Sequence, residues 1–334
     1  MYKLGQNYGL IDLHLHLDGS LSVKTVRELA LMQGMEVPQN EEDLLELLQV
    51  GRDCKDLNEY LEKFSFPCAL LQTKQAITKA VSNLLEELKA QGLLYAEIRF
   101  APQLHTLQGL TQMEVVQAAV NGLTLCDFKA NLILCCMRGS DNQEQNMQTV
   151  QLASRFLGKG VCAVDLAGAE AIYPTAYFED LLYTANEMGI PLTVHAGEAA
   201  GADSVWAALK IHPKRIGHGV RSLEDEALVK HLAKEGITLE LCPTSNLNTN
   251  IFPSIYDYPL CHFMDAGVKV TINTDNMTVS GVNIRSEMEK VIDAFSLSKD
   301  YVGKLEMNAA DACFATPEVK EWLRCQIREI LCLK

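Results

Sequence analysis

The segment "IDLHLHLDG" places His14 and His16 two residues apart in a β-rich run. Residues i and i+2 of a strand share a face, so both imidazoles point the same way. Two imidazoles on one interior face are costly to bury unless something binds them. Two further histidines end β-rich runs: His195 in "TVHAGE", which also carries Glu198, and His218 in "RIGHG". Near the end of the chain "VKVTINTDNM" runs into Asp275-Asn276, a pair suited to a turn because both side chains bond their own backbone. Either the pair only turns the chain, or Asp275 faces the histidines. In the second case His14, His16, His195 and Asp275 offer three nitrogens and one oxygen. Zinc accepts that set and keeps an open position for water; other divalent ions accept it too. His218 is then free to act on that water as base and orienter. His105, His212, His231 and His262 lie in loops or helix flanks and read as structural.

A two-metal site needs a bridging acid or carboxylated lysine. The runs "CCMR" and "VDLAG" end without lysine, and Asp165 in the second can face either way. One metal per chain is the expectation.

These residues must be positioned by something regular. Eight apolar β-rich runs follow one another: "YGLIDLH", "LLYAEIRF", "NLILCCMR", "VCAVDLAG", "IPLTVHAG", "RIGHG", "ITLELCP" and "VKVTIN". From the second onward the gaps carry helical spacing, over 111–130, 142–157, 175–189, 202–211 and 223–235. Gly92, Gly189 and Gly236 stand where helices stop. Continuous apolar strands suit a parallel sheet covered on its faces. Alternation of eight strands with helices predicts an α/β fold, a (β/α)8 TIM barrel, ahead of a doubly wound open sheet. In such a barrel chemistry sits at the C-terminal strand ends, where these polar residues fall. Residues 22–91 form a long gap, read as an insertion of about four helices making a lid over the barrel mouth. The tail, 281–331, reads as extra C-terminal helices closing the bottom or side, and 1–334 as a single domain.

The chain has 334 residues, 48% hydrophobic and 22% charged, a normal globular composition. Its net charge of −14, with no Lys/Arg cluster, argues against nucleic acid as a partner and for a small substrate. No apolar run reaches membrane-spanning length, and the N-terminus lacks the core and cleavage site of a signal peptide. The eleven cysteines show no C-x-x-C spacing and sit in apolar segments. They read as buried thiols in a reducing compartment, so a cytoplasmic protein is expected, with no obligate protein partner evident.

In order and spacing "DLHLHLDGSL", "VDLAGAE", "VHAGE", "RIGHGV" and "NTDN" resemble the motifs of the adenosine deaminase family. The resemblance runs from the first strand to the eighth and takes in "LLYAEIRFAP" and the helical insertion. It implies that His14, His16, His195 and Asp275 hold one zinc ion. Glu198 is implied as the acid that protonates ring N1 of a purine nucleoside, and His218 as the group beside the attacking hydroxide. Gly168 would meet ring N3 through its N–H, and Asp18 the ribose 5′-hydroxyl. The family's usual aspartate facing N7 is replaced here by Asn276.

The implied reaction is hydrolysis of adenosine, and of 2′-deoxyadenosine, to the inosine product and ammonia. Alternatives are deamination of adenine or another aminopurine, and a nucleoside-binding homologue without chemistry. Asp18 is shorter than the glutamate of adenine-type members and leaves room for ribose. In the insertion, "LEKFSFPCALLQ" brings Phe64, Phe66, Leu70 and Leu71 together, with Phe64 and Phe66 as candidate pocket residues and the rest as core.

Overall fold

The computed structural model describes residues 2–5, 8–51 and 54–331. Its strands are β1 (Ile11–His16), β2 (Tyr95–Phe100), β3 (Ala130–Met137), β4 (Val161–Ala167), β5 (Thr193–Ala196), β6 (Arg215–His218), β7 (Thr238–Leu241) and β8 (Lys269–Ile272). All neighbouring strands pair in parallel, β1 to β4 in one sheet and β5 to β8 in another. Single bridges join the two sheets at both seams, Val164 with Leu192 and Leu15 with Asp275. At the second seam the His16 N–H donates to the Asp275 carbonyl at 2.7 Å, and the Asp275 N–H to the His14 carbonyl at 2.8 Å. An open doubly wound sheet would leave its edge strands apart, whereas here the last strand returns to the first. The fold is the (β/α)8 barrel.

The strands bury both faces, so their sequences are mainly apolar, and the polar residues they do carry (Glu97, Arg99, Asp165, His195, Glu240) are buried as well. Helices expected from periodicity are present with shorter ends. The first stops at Leu123, short of Ala130, where the Thr124 hydroxyl turns onto the Asn121 carbonyl at 2.7 Å and competes with helix continuation. Gly92, Gly189 and Gly236 all take left-handed backbone after their helices.

The insertion differs from the expectation. Residues 22–91 hold five helices: Val23–Met32, Glu41–Leu48, Leu57–Leu61, Ser65–Leu70 and Lys74–Ala90. Positions 52 and 53 lie outside the described residues. The last helix belongs to the outer ring: it packs along Gln112–Leu123, with the Thr78 hydroxyl on the Ala118 carbonyl at 2.8 Å. Val23–Met32 lies against that last helix, with the Ser22 hydroxyl on Glu87 at 2.5 Å, and the stretch around Leu57–Phe64 reaches the barrel mouth.

Three tail helices follow, Ile284–Phe295, Lys299–Ala312 and Pro317–Leu331. The second closes the barrel bottom: Glu306 accepts the Ile11 N–H at 3.0 Å, and Asn308 donates to the Val270 carbonyl at 3.0 Å. Among the described residues no helix is long and apolar enough to cross a membrane. The described cysteines carry no disulfide; most are buried, while Cys68 and Cys261 are half-buried and Cys325 is exposed.

Candidate active site

The seam between β8 and β1 decides what the Asp275-Asn276 turn does. Asp275 lies three residues beyond β8 in left-handed backbone, φ 61°, held there by its two hydrogen bonds to β1. That conformation costs a non-glycine residue about 1–3 kcal/mol and persists only where the surroundings enforce it. The same pairing sets its carboxylate beside both β1 histidines: Nε2 of His14 and of His16 each lie 3.4 Å from Asp275 Oδ1. His218, at the end of β6, is strained in the same way, with φ 57°.

His195 completes the group, its Nε2 3.3 Å from Nε2 of His16. His218 Nε2 stands 4.0 Å from Asp275 Oδ2 and 3.7 Å from Glu198 Oε2. Single donor atoms of His14, His195, His218 and Asp275 all fall within 4.8 Å of one another. That group holds His218 in place of the expected His16, whose Nε2 touches only the His195 and Asp275 members of it. Burial pushes the His16, His195 and His218 rings below the usual imidazole value, which leaves them neutral. Burial would raise Asp275, but the imidazoles packed around it, His14 foremost, outweigh it and hold the carboxylate ionised.

A second layer sorts the imidazoles. His14 Nδ1 lies 2.8 Å from Glu240 Oε2, and His195 Nδ1 2.8 Å from Asp165 Oδ2. Glu240 accepts the His14 Nδ1 proton and leaves the Nε2 lone pair for a cation, and the Asp165 charge beside His195 Nδ1 favours the same tautomer there. His218 is arranged oppositely. The Tyr258 hydroxyl donates to Asn246 Oδ1 at 2.9 Å, so Asn246 presents its Nδ2–H to His218 Nδ1, 3.0 Å away. Neutral His218 then carries its proton on Nε2 and has no lone pair there for a metal.

Arg99 lies across the floor of the site, fully buried, with Nη1 2.9 Å from Asp165 Oδ2 and Nη2 2.8 Å from Glu240 Oε2. Arg215 meets Glu240 at 2.5 Å and Glu97 at 2.6 Å. The two guanidiniums thus brace Asp165, Glu240 and Glu97 beneath the imidazoles. His14 Nε2 is a buried nitrogen with no hydrogen-bond partner, as a metal ligand would be.

Above this layer opens a cavity of about 220 Å³. Glu198, His16, His218, Asp18, Gly168 and Asn276 line it, with Leu57, Tyr60 and Phe64 from the insertion as an apolar wall. No Lys or Arg lines it among the described residues. Phe66 does not reach the cavity: it packs against the main core, because its helix turns that side chain away from the mouth. Leu70 and Leu71 are core, as expected.

Burial, reinforced by the Asp275 and Glu170 charges, pushes the Glu198 carboxyl well above the usual range, against the opposing pull of Arg138. Its Oε1 is buried without a partner. Gly168 has φ 106°, a conformation that disfavours any side chain. Asp18 keeps one buried oxygen, Oδ1, without a partner, while Oδ2 lies 3.6 Å from Cys68 Sγ. Asn276 turns its oxygen onto Gly19, where an added Cβ would come within 1.9 Å.

Arg99, Glu240, Asn246 and Tyr60 are site residues that motif reading missed. The first two carry a usable signal, because a charge inside the apolar runs "LLYAEIRF" and "ITLELCP" must be paired or bind something. Tyr60, buried at the mouth with its hydroxyl 2.7 Å from Ser280 Oγ, carries none.

Residues 10–330 match the family model described as adenosine deaminase. The chain is 46% identical over 331 residues to the adenosine deaminase of Haemophilus ducreyi, covering 96% of each. It is 41% identical over 327 residues to that of Clostridium botulinum strain Kyoto, covering 96% of this chain and 97% of the relative. Among solved structures, the adenine deaminase of Arthrobacter aurescens superposes with a TM-score of 0.86 at 29% identity, covering 96% of this chain and 98% of that one. With near-complete coverage at this identity, the chain belongs to the adenosine deaminase family.

Proposed function

We propose that the chain hydrolyses the exocyclic amine of adenosine, and of 2′-deoxyadenosine, to give inosine or deoxyinosine and ammonia. The observation that carries this is a buried carboxylic acid, Glu198, with a free oxygen in the same cavity as a histidine–aspartate cluster spaced for a cation. One zinc ion per chain suits His14, His16, His195 and Asp275. A bound divalent cation supplies the Lewis acidity that makes water a nucleophile near neutral pH.

The chain's own groups do the rest. Glu198 gives its proton to ring N1, which makes C6 electrophilic. A cation at the cluster offsets the Asp275 charge, so burial is the cause that keeps Glu198 protonated. His218, its Nδ1 accepting from Asn246, directs Nε2–H at the incoming oxygen and orients it. Water oxygen bonds to C6, and the C6–N6 bond then breaks. Of the two water protons one returns to Glu198 and the other leaves on ammonia. The stretch around Leu57–Phe64 acts as the lid that keeps this cavity dry, with Tyr60 and Phe64 as its inner surface.

Asp18 favours a nucleoside, since a ribose hydroxyl would satisfy its orphaned oxygen. Gly168 offers backbone to ring N3, and Asn276 turns its amide N–H to N7. A cavity without Lys or Arg disfavours nucleotides. Adenine is the second reading, prompted by the matching adenine deaminase fold. The buried thiols and acidic surface support a cytoplasmic enzyme without nucleic-acid or membrane partners.

Turnover of adenosine, 2′-deoxyadenosine, adenine, AMP and 5′-methylthioadenosine by the metal-loaded protein tests the reading. Adenosine and deoxyadenosine should be consumed and AMP left intact. Glu198→Gln should keep its metal and lose most activity. No turnover of adenosine would overturn the assignment.

A further inference from the structure

β5 ends at Ala196, and Glu198 sits in the loop Gly197–Ala200 that follows. This loop is Gly-Glu-Ala-Ala and has few side chains with which to hold its own shape. Its support comes from two buried residues elsewhere. Glu170, three residues past β4, accepts the Gly197 N–H on Oε1 at 2.7 Å and the Glu198 and Ala200 N–H groups on Oε2, both at 3.0 Å. Arg138, one residue past β3, donates from Nη2 to the His195 carbonyl at 2.6 Å and to the Thr175 hydroxyl at 3.0 Å. Its Nη1 donates to the Tyr173 carbonyl at 2.7 Å. Both are nearly inaccessible, Glu170 at 2% and Arg138 at 6%.

The arrangement is a two-sided grip. A cation holds the carbonyl at the start of the turn, and a carboxylate holds three N–H groups at its far end. Charge-assisted bonds of this kind are roughly twice as strong as neutral ones. The grip spans only six residues and contains both His195 of the cation cluster and Glu198.

We propose that Glu170, with Arg138, is the positioning residue for Glu198. By taking the Gly197, Glu198 and Ala200 N–H groups it sets the angle at which the Glu198 carboxyl enters the cavity. Neither residue lines that cavity. The inference rests on Glu198 being the proton donor.

The test is a double-mutant cycle on the full-length, metal-loaded protein. Glu170→Gln keeps the size of the side chain but replaces one acceptor oxygen with an amide that opposes the loop N–H groups. It should lower kcat for adenosine by about 100-fold, the cost of a misplaced reacting group. KM should change by less than about threefold, because ground-state contacts stay. Metal content should be unchanged, and amide hydrogen exchange at Gly197–Ala200 should quicken. In a Glu198→Gln background the same substitution should cost less than about twofold, since the group it positions is already gone. Glu170→Asp, which keeps the charge but is one methylene shorter, should give a smaller loss with the same non-additivity and serves if the glutamine form does not fold. An equal loss in both backgrounds, or loss of metal with Glu170→Gln, would overturn the proposal by making Glu170 a general support of β5. Wild-type turnover by Glu198→Gln alone is a different result: it removes Glu198 as the acid, and the positioning claim falls with it.

Discussion

Nε2 of His16 and Nε2 of His195 face each other at 3.3 Å. Two neutral imidazoles at that distance bring lone pairs together unless a proton or a cation lies between them. Burial keeps both rings neutral, so they meet either through one ring's Nε2–H or through a cation, and the Asp275 oxygen 3.4 Å from His16 Nε2 favours the cation. A chelator should therefore abolish activity and lower Tm, and one equivalent of zinc should restore both. Metal present at a thousandfold over its Kd should stabilise the fold by about 4 kcal/mol. Unchanged Tm and activity after exhaustive chelation would count against the site.

Arg99 serves two imidazoles at once, because Asp165 Oδ2 and Glu240 Oε2 each bind the guanidinium and a histidine Nδ1. Arg99→Met should weaken metal affinity by about 10- to 100-fold, as loss of an outer-shell partner does. It should also cost about 3–5 kcal/mol of stability, because buried Asp165 loses its guanidinium while Glu240 keeps only Arg215. Metal competition and thermal unfolding read the two effects separately. Full metal affinity in a folded Arg99→Met protein would refute the link.

Asn276 holds its oxygen against Gly19 at the cavity wall, and in the proposed reading its amide N–H is the donor to the cavity. An aspartate there donates only when protonated, whereas the amide donates at any pH. Asn276→Asp should add an alkaline fall to the kcat/KM profile for adenosine, because the new group loses its proton as pH rises. On 7-deazaadenosine, which has no acceptor at that place, the fall should be absent. A large rise in kcat/KM with Asn276→Asp would show that the substitution costs the enzyme something instead.

His105 is the structural histidine with a measurable consequence. Burial pushes its ring down to about 4, against a small opposing effect of the Leu71 backbone. The unfolded chain takes up a proton near the ordinary value while the folded chain resists it. Stability is therefore full above the unfolded pKa of about 6.5 and falls as pH drops towards 4, by about 3 kcal/mol in all. His105→Phe should remove that part of the acid-side decline. Parallel unfolding midpoints from pH 7 to 4 check it; identical slopes would dismiss the effect.

Much of this protein is legible in its residues alone. Eight continuous apolar runs separated by helical spacing can be satisfied only by a covered parallel sheet, and polar residues at the ends of such runs have few other reasons to be there. That logic reaches His14, His16, His195 and His218, because strand periodicity fixes facing within a run, and Glu198 by its place just past β5. It fails where facing depends on what lies across the barrel. Asp275 was equally a turn residue until the seam bonds to His14 and His16 placed its carboxylate. Asp165 had no direction until Arg99 and His195 gave it one. Phe64 and Phe66 look alike in sequence, and only the packing of the insertion sends one to the cavity and the other to the core. Local spacing determines which residues share a face; closure of the barrel, a set of contacts between positions hundreds of residues apart, decides which faces meet.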